Sequence, residues 1–485
     1  MRYNIVSNII GSNLRYIGVV LLLPILFALA YKELDHVLPF VCASFISILL
    51  GFLFTLAHVS EKDIDSVKKP EALSGVFFSW VFFSLVCAIP YLFYDFNITN
   101  AIFESVSGIT TTGATVINDY TIYPKTLFFY RAMTQWFGGM GIVVLFIAVL
   151  PKFSVAGRQM FSAESPGPVE EKVTPRIRHT ASWLWGIYLG LTIVQLIALK
   201  FCGMDFYNSL CTTLSTVSTG GLSPNAQSLM GYDNQAAVII TGIFMFLSGA
   251  NFILLYKVFI QRKWGSFLKS EEFLTYLGIT VFFSLSIAFF LWSTREGSFL
   301  KSLIDSSFQV ISLITSTGFA SVDFIKWGAD AKIMLFAAMF ASACAASTAG
   351  GLKIARWIYL FKYIKREVAK IIHPNAVYPI RLEGKPISDD TGSQIMAFCI
   401  FYFFIFALRA FVTALLEKSP ATALSGAITT LGNIGPGLSA KIGPMASFDC
   451  LTLSTKWIFI FNMLIGRLEL IPFLALLHKD LWTKN

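Results

Sequence analysis

Four short, hydroxyl-rich segments constrain this chain more than any other feature. Each lies between two long apolar runs, and each ends on glycine. Written on a common glycine they read VSGITTTGA, LSTVSTGGL, SLITSTGFA and TTLGNIGPG, with Gly113, Gly220, Gly318 and Gly435 aligned. The glycines stand 107, 98 and 117 residues apart. A repeat of this kind decides an architecture before any motif does. One such turn alone reads as an ordinary helix terminus, where glycine takes the left-handed conformation and Ser or Thr caps. Chance capping does not account for four in register, each between two apolar spans.

The apolar runs set the solvent. The chain has 485 residues, 55% of them hydrophobic and 13% charged, and its mean hydropathy is +0.68. A soluble chain of this length carries about 25% charged residues. Ten runs are long enough to be read as membrane spans: near 16–33, 38–59, 72–94, 127–151, 180–201, 235–260, 273–293, 331–364, 393–416 and 453–477. The four glycine segments fall between spans three and four, five and six, seven and eight, and nine and ten. They are too short and too polar to cross, and suit re-entrant helices followed by loops. No signal-peptide pattern precedes the first run, so the N-terminus reads as retained. The expected fold is an all-α integral membrane protein. Ten transmembrane helices form four linked units of span, pore helix, filter loop and span around one pseudo-fourfold pore, plus two extra N-terminal spans. The boundaries read as 1–65 for the N-terminal pair, then 66–160, 161–266, 267–375 and 376–485 for the repeats. With the N-terminus in the cytoplasm, the inner side receives the larger share of the 37 Lys and Arg, as the positive-inside rule asks. The C-terminus is then cytoplasmic too, and all four short segments enter from outside.

Other classes fit poorly. The seven cysteines are scattered without CxxC spacing, and none of the five histidines pairs with another at metal-ligand spacing, so neither a disulfide framework nor a zinc site is indicated. The net charge of +9 is read through topology, not as a nucleic-acid surface. GGMG (138–141) and GNIGPG (432–437) lack the strand–turn–helix setting of a nucleotide loop. No cluster of His, Asp, Glu or Cys suggests an enzyme.

Irregular backbone at membrane depth persists only where protein buries it or where it lines a water-filled path. In an extended Thr–Thr–Gly segment the carbonyls can face a common axis, and four segments give rings of oxygen dipoles able to replace the hydration shell of a monovalent cation. Glycine reaches the backbone angles this needs. The short preceding helix aims its negative C-terminal end at the ion. The aligned columns hold no ring of carboxylates, which points to a weak-field site suited to potassium.

These features together — one glycine per re-entrant loop, four unlike repeats in one chain, and ITTTGATV — resemble the Trk/Ktr/HKT superfamily of potassium transport proteins. The resemblance covers essentially the whole chain, and the two extra spans resemble the longer Trk branch more than the Ktr branch. It implies K+ (and rubidium) as the transported ion, bound at a filter of Thr111, Thr112, Gly113, Ser218, Thr219, Gly220, Ser316, Thr317, Gly318, Asn433, Ile434 and Gly435, with no organic cofactor on this chain. The fourth loop departs most, with Asn and Ile where the others carry hydroxyls. The resemblance also implies a homodimer in the bacterial inner membrane and a separate cytosolic RCK-domain nucleotide-binding ring protein (TrkA-like). The ring would dock on the basic inner loops near 152–178, 257–269 and 353–385.

Two further stretches bear on flow. Span eight contains ASACAASTAGGLKIARW (341–357). Its small residues suit close helix packing or, alternatively, an unwound stretch in the pore. The resemblance favours the second and assigns a gate to Ala346, Ser347, Thr348, Ala349, Gly350, Gly351 and Lys353. Arg467 stands in mid-span ten, where an ionised group needs a partner or a cavity. Its expected partners are Glu104, Asp305 or backbone carbonyls. Alternatively its charge lies in the ion path as a barrier, as the resemblance implies. Arg409 has no reading beyond packing or snorkelling. A secondary transporter coupling potassium to protons or sodium remains the alternative, with Glu104, Asp305 and Glu469 as its titratable candidates.

Overall fold

The computed structural model describes residues 1–56, 59, 67–141, 177–294, 298–376 and 378–468. Three N-terminal helices, α1 (Tyr3–Val20), α2 (Leu23–Tyr31) and α3 (Leu38–Thr55), precede the repeated part. α1 and α3 touch through glycine: a Cβ on Gly11 would lie 2.6 Å from the Gly51 carbonyl, and one on Gly51 would lie 2.8 Å from that of Gly11. Ser44 and Ser47 donate across the same seam to the carbonyls of Gly18 and Leu14. Small residues let apolar helices approach this closely, and hydroxyls tie them. The first candidate span is Tyr3–Tyr31, not 16–33. The polar residues that mask its start pack against neighbours: Ser7 donates to the Phe54 carbonyl and Asn13 to Ser79.

The repeated part follows as α4 (Lys69–Leu92), α5 (Ile98–Ile109), α6 (Lys125–Gly139), α7 (Ile177–Phe201), α8 (Phe206–Val217), α9 (Gln235–Gly249), α10 (Phe252–Leu255), α11 (Ser266–Lys269), α12 (Glu271–Thr294), α13 (Phe299–Ile314), α14 (Ala329–Ala338), α15 (Ile354–Ile372), α16 (Asp389–Glu417), α17 (Pro420–Leu431) and α18 (Leu453–Leu468). A two-residue hairpin, β1 (Arg381–Leu382) with β2 (Lys385–Pro386), joins α15 to α16.

Among the described residues six helices are long and apolar enough to cross a membrane, or seven if the bent pair Gln235–Gly249 and Phe252–Ile260 is one span. That pair bends by 103°. Ala250 is extended there, and the Asn251 side chain caps the restarted helix by accepting from Ile253 and Leu254, as an N-cap does. The run 331–364 is continuous in hydropathy but not in structure: α14 stops at Ala338 and α15 begins at Ile354. The later parts of the runs 127–151 and 453–477, with Glu469, lie outside the described residues, as does most of the inner loop 152–178.

Four short helices, α5, α8, α13 and α17, occupy the places of the sequence repeat. At 12 to 16 residues they reach about 18–24 Å at 1.5 Å per residue, short of a bilayer core of about 30 Å. Each starts on a side-chain cap: Asn97, Asp205, Ser298 and Ser419 accept from backbone N–H groups of the first turn. The first and last repeats meet helix against helix, α5 on α18, and through the loop before α18. Phe448 donates its N–H to the Thr115 carbonyl, and Asp449 accepts from Asn100, Asn118 and Lys456.

Candidate functional site

The four loops share one backbone path. In each, a non-glycine residue takes a left-handed φ: Thr111 (55°), Thr219 (54°), Ser316 (53°) and Asn433 (53°). Two residues on, a glycine follows with positive φ: Gly113 (84°), Gly221 (75°), Gly318 (83°) and Gly435 (107°). This corrects the register of the second repeat. The residues equivalent to Thr111, Thr112 and Gly113 are Thr219, Gly220 and Gly221, one position beyond Ser218, Thr219 and Gly220. The hydrogen bonds agree. Thr112, Gly220, Thr317 and Ile434 each donate their N–H to a carbonyl five residues back, that of Ser107, Ser215, Ser312 or Thr429, at 2.8–2.9 Å. Three of those hydroxyl residues also reach forward over the turn: Ser215 to the Leu222 carbonyl, Ser312 to Phe319 and Thr429 to Pro436. The sequence carried this signal, since a Ser or Thr stands six residues before Gly113, Gly221, Gly318 and Gly435, whereas Leu214 holds that place before Gly220.

The loops touch in cyclic order. A Cβ on Gly113 would overlap the Gly220 carbonyl, one on Gly221 that of Thr317, and one on Gly318 that of Ile434. A Cβ on Gly435 would lie 2.8 Å from the Thr112 carbonyl, which closes the circle. Each glycine is therefore required twice, by its φ and by the backbone packed on it. The carbonyl oxygens of Thr112, Thr317 and Ile434, and of the four glycines, accept no hydrogen bond from any described residue. Buried carbonyls are normally paired. Here they belong to four loops in a closed circle of contacts, beside the C-terminal ends of four helices whose partial charge is also negative. Such an arrangement can ligate a desolvated monovalent cation.

Side chains brace the loops from behind. The hydroxyls of Thr110 and Thr112 lie 2.8 Å apart, as do those of Thr315 and Thr317. Asn433, the residue that departs from the hydroxyl pattern, sits at the left-handed position, which Asn tolerates better than Thr. Its amide donates to the Thr112 hydroxyl and to the Met463 carbonyl, both at 2.9 Å, so it ties the fourth loop to the first. Glu104 is committed elsewhere. It is fully buried, pairs with Arg131, and accepts from the Val116 N–H and the Thr115 hydroxyl, which holds the segment leaving the first loop. Among the described residues no group of three or more His, Cys, Asp or Glu is placed to hold a metal ion.

The stretch between α14 and α15 is irregular and lies against three of the four loops. The Thr348 hydroxyl bonds to that of Thr219 and donates to the carbonyls of Val217 and Ser248. The Gly350 N–H donates to the Ser316 hydroxyl. A Cβ on Gly350 would lie 2.7 Å from the Asn433 side-chain oxygen. The stretch turns at Ala346 (φ 53°) and Gly351 (φ 75°). The Lys353 ammonium donates to the carbonyls of Ser347 and Ala349, and Ser342 donates to that of Gly350. The buried carboxylate of Glu272 receives the Ala345 N–H at 2.6 Å, a contact the sequence did not announce. Arg467 donates through one guanidinium nitrogen to the Thr348 carbonyl and through another to the carbonyls of Gly138 and Gly139 at 2.7 Å. Its charge thus sits on backbone carbonyls and fastens this stretch to the end of α6.

Comparison with known proteins gives the family and the overall fold. The sequence profile of the TrkH family, described as cation transport protein, matches residues 40–482. The chain is 33% identical to the "Trk system potassium uptake protein TrkH" of Salmonella typhimurium and 32% identical to that of Escherichia coli K12, in each case over the full length of both chains. The crystal structure of "the Potassium Transporter TrkH from Vibrio parahaemolyticus" superimposes with a TM-score of 0.88 at 31% identity, covering all of both chains.

Proposed function

Since this chain belongs to the TrkH family of cation transport proteins, we propose that it carries potassium across the membrane through a gated, channel-like path whose filter is the ring of four loops. The filter residues are Thr111, Thr112 and Gly113; Thr219, Gly220 and Gly221, with Ser218 just outside in the corrected register; Ser316, Thr317 and Gly318; and Asn433, Ile434 and Gly435. The observation that carries the proposal is the cyclic packing of glycine on carbonyl with bare oxygens. Four re-entrant helices and ten spans, eight of them in the four repeats and two N-terminal to them, form the frame, in the bacterial inner membrane with both termini cytoplasmic. The stretch of Ala346, Ser347, Thr348, Ala349, Gly350, Gly351 and Lys353 closes the path beneath the filter, with Arg467 as its latch and as a positive barrier. The assembly is a homodimer, and a cytosolic nucleotide-binding RCK ring of the TrkA kind opens it.

Coupling to protons or sodium has less support. A coupling site needs a titratable group by the ion path, and Glu104 is already neutralised by Arg131. The test is potassium, rubidium and sodium flux into liposomes that hold this chain alone. Selective rubidium uptake, a current reversing at the potassium equilibrium potential whatever the proton gradient, and loss of selectivity in Gly113→Ser are expected. Unchanged selectivity in Gly113→Ser overturns the filter; a reversal potential that follows the proton gradient restores coupling.

A further inference from the structure

The second loop is the odd one. At the middle position the other three loops carry Thr112, Thr317 and Ile434; this one carries Gly220, followed by Gly221. Gly221 needs to be glycine for its φ of +75°. Gly220 does not, since it is absent from the residues of positive φ. What forbids a side chain there is a neighbour. The three heavy atoms nearest to a Cβ on Gly220 all belong to the amide of Gln135, with its nitrogen and oxygen at 2.6 Å. Gln135 lies on α6, is fully buried, and grips the loop on both sides of Gly221. Its amide nitrogen donates to the Gly220 carbonyl at 2.6 Å, and its amide oxygen accepts the Leu222 N–H at 3.1 Å.

The geometry points to Gln135 as a positioning residue of the filter, a side chain that the second loop borrows from α6. In the first and third loops, a hydroxyl pair within the loop braces the middle residue. Two adjacent glycines have no such brace and the widest choice of backbone conformations. A peptide flip between them would move the Gly220 carbonyl out of the ring. Gln135 prevents it with two hydrogen bonds. It also makes this quarter distinct: Gly220 is the one middle position whose carbonyl accepts a hydrogen bond from a described residue, so its oxygen offers less free charge to an ion than those of Thr112, Thr317 and Ile434.

This inference rests on the filter reading, and the test separates the two. Rubidium uptake and its competition by sodium are measured in liposomes containing the full-length chain, for wild type, Gln135→Leu, Gln135→Ala with Gly220→Thr, and Gly113→Ser. Gln135→Leu keeps the volume and loses both bonds; discrimination against sodium is expected to fall about tenfold, as for the loss of one or two net hydrogen bonds. The double substitution returns a Thr to the middle position in the space the amide vacates, and is expected to recover most of the discrimination. A merely structural glutamine would not be rescued by a residue added on another element. If Gln135→Leu discriminates like wild type while Gly113→Ser does not, the role of Gln135 is overturned and the filter stands. If neither substitution alters discrimination, both fall. Should Gln135→Leu fail to fold, the double variant decides: wild-type discrimination supports the role, and poor discrimination in a folded protein overturns it.

Discussion

In the four glycine loops the carbonyls of Thr112, Thr317, Ile434 and the four positive-φ glycines accept no bond from a described residue, and side chains brace the loops from behind; in the stretch from Ala338 to Ile354 it is the carbonyls that are gripped. Thr348, Ala349, Gly350 and Ser347 each give a carbonyl to Arg467, Lys353 or Ser342. Both are irregular backbone inside a membrane fold, where unpaired polar groups are expensive. The loops repeat one internally hydrogen-bonded path four times. The stretch repeats nothing, and it borrows contacts from the second, third and fourth loops and from α18, whose Arg467 links it to the end of α6. A path whose bonds lie within itself is rigid. A path that also leans on distant neighbours, as this one leans on Arg467, Thr219 and Ser316, can be released when one of them moves, and the proposed function assigns the filter to the first kind of path and the gate to the second.

The sharpest way to break the comparison is to put a methyl group on the ring. Gly221→Ala combines the deepest overlap, onto the Thr317 carbonyl, with a φ of +75°, and both the strain and the clash lie on backbone. Rubidium uptake should lose its preference over sodium, with the largest fall in thermal stability of the four glycine variants. Gly318→Ala and Gly113→Ala should be nearly as severe, and Gly435→Ala, with 2.8 Å to the Thr112 carbonyl, the mildest of the four. Equal tolerance at all four positions would mean that the loops do not pack as a ring.

The second test acts on the gate. Arg467→Ala removes charge-assisted bonds to Thr348, Gly138 and Gly139. Of these, only the bond to Thr348 is made to the stretch itself; at about 1.5–3 kcal/mol for one charge-assisted bond, a closed state held by it should lose about ten- to hundredfold of its advantage. Rubidium uptake should rise by up to that factor with its preference over sodium intact. Arg467→Lys should fall between, since one ammonium cannot reach both sites of the planar fork. An inactive but well-folded Arg467→Ala would make Arg467 a strut and not a latch.

How much of this was legible differs between the two regions for the same reason. The short helices are visible in the sequence because their signals are local: short hydroxyl-rich segments between two apolar runs, each ending on glycine. The second loop was placed one residue out because adjacent glycines offer two registers, and the deciding signal, the hydroxyl six residues earlier, is at Ser215. Gln135 was invisible because its partner lies 85 residues away. The break in 331–364 was hinted at by its small residues, yet hydropathy cannot distinguish an apolar helix from an apolar coil. The mid-span charge of Arg467 was plain, but its three carbonyl partners come from two distant segments.

A smaller effect is expected from Thr348→Val. It deletes the hydroxyl that bonds to Thr219 and reaches the carbonyls of Val217 and Ser248 but leaves the Thr348 carbonyl for Arg467. Loss of long, neutral bonds of 3.2–3.3 Å should raise flux only a few-fold, within about 1 kcal/mol. A rise as large as that of Arg467→Ala would mean that the hydroxyl, not the arginine, holds the gate.

The smallest expected effect is none, and it tests the frame of the ring. Asp449 fastens the last repeat to the first through Asn100 and Asn118, with Lys456 of its own repeat paired to it. Burial pushes its pKa up, but hydrogen bonds from Lys456 and Asn100 and the Lys456 charge outweigh this and leave it below the ordinary carboxylate value. For a carboxylate of depressed pKa, the stabilisation is complete above its unfolded value of about 3.9 and is lost only as the pH falls through the lower folded value. Rubidium-over-sodium discrimination should therefore be flat from pH 8 to pH 5, while Asp449→Asn, which removes the charge opposite Lys456, should lower thermal stability at pH 7 and leave no further loss on acidification. A discrimination that declines between pH 7 and pH 5 would show that the ring is held by a group titrating higher than Asp449, and that its frame is as releasable as the gate.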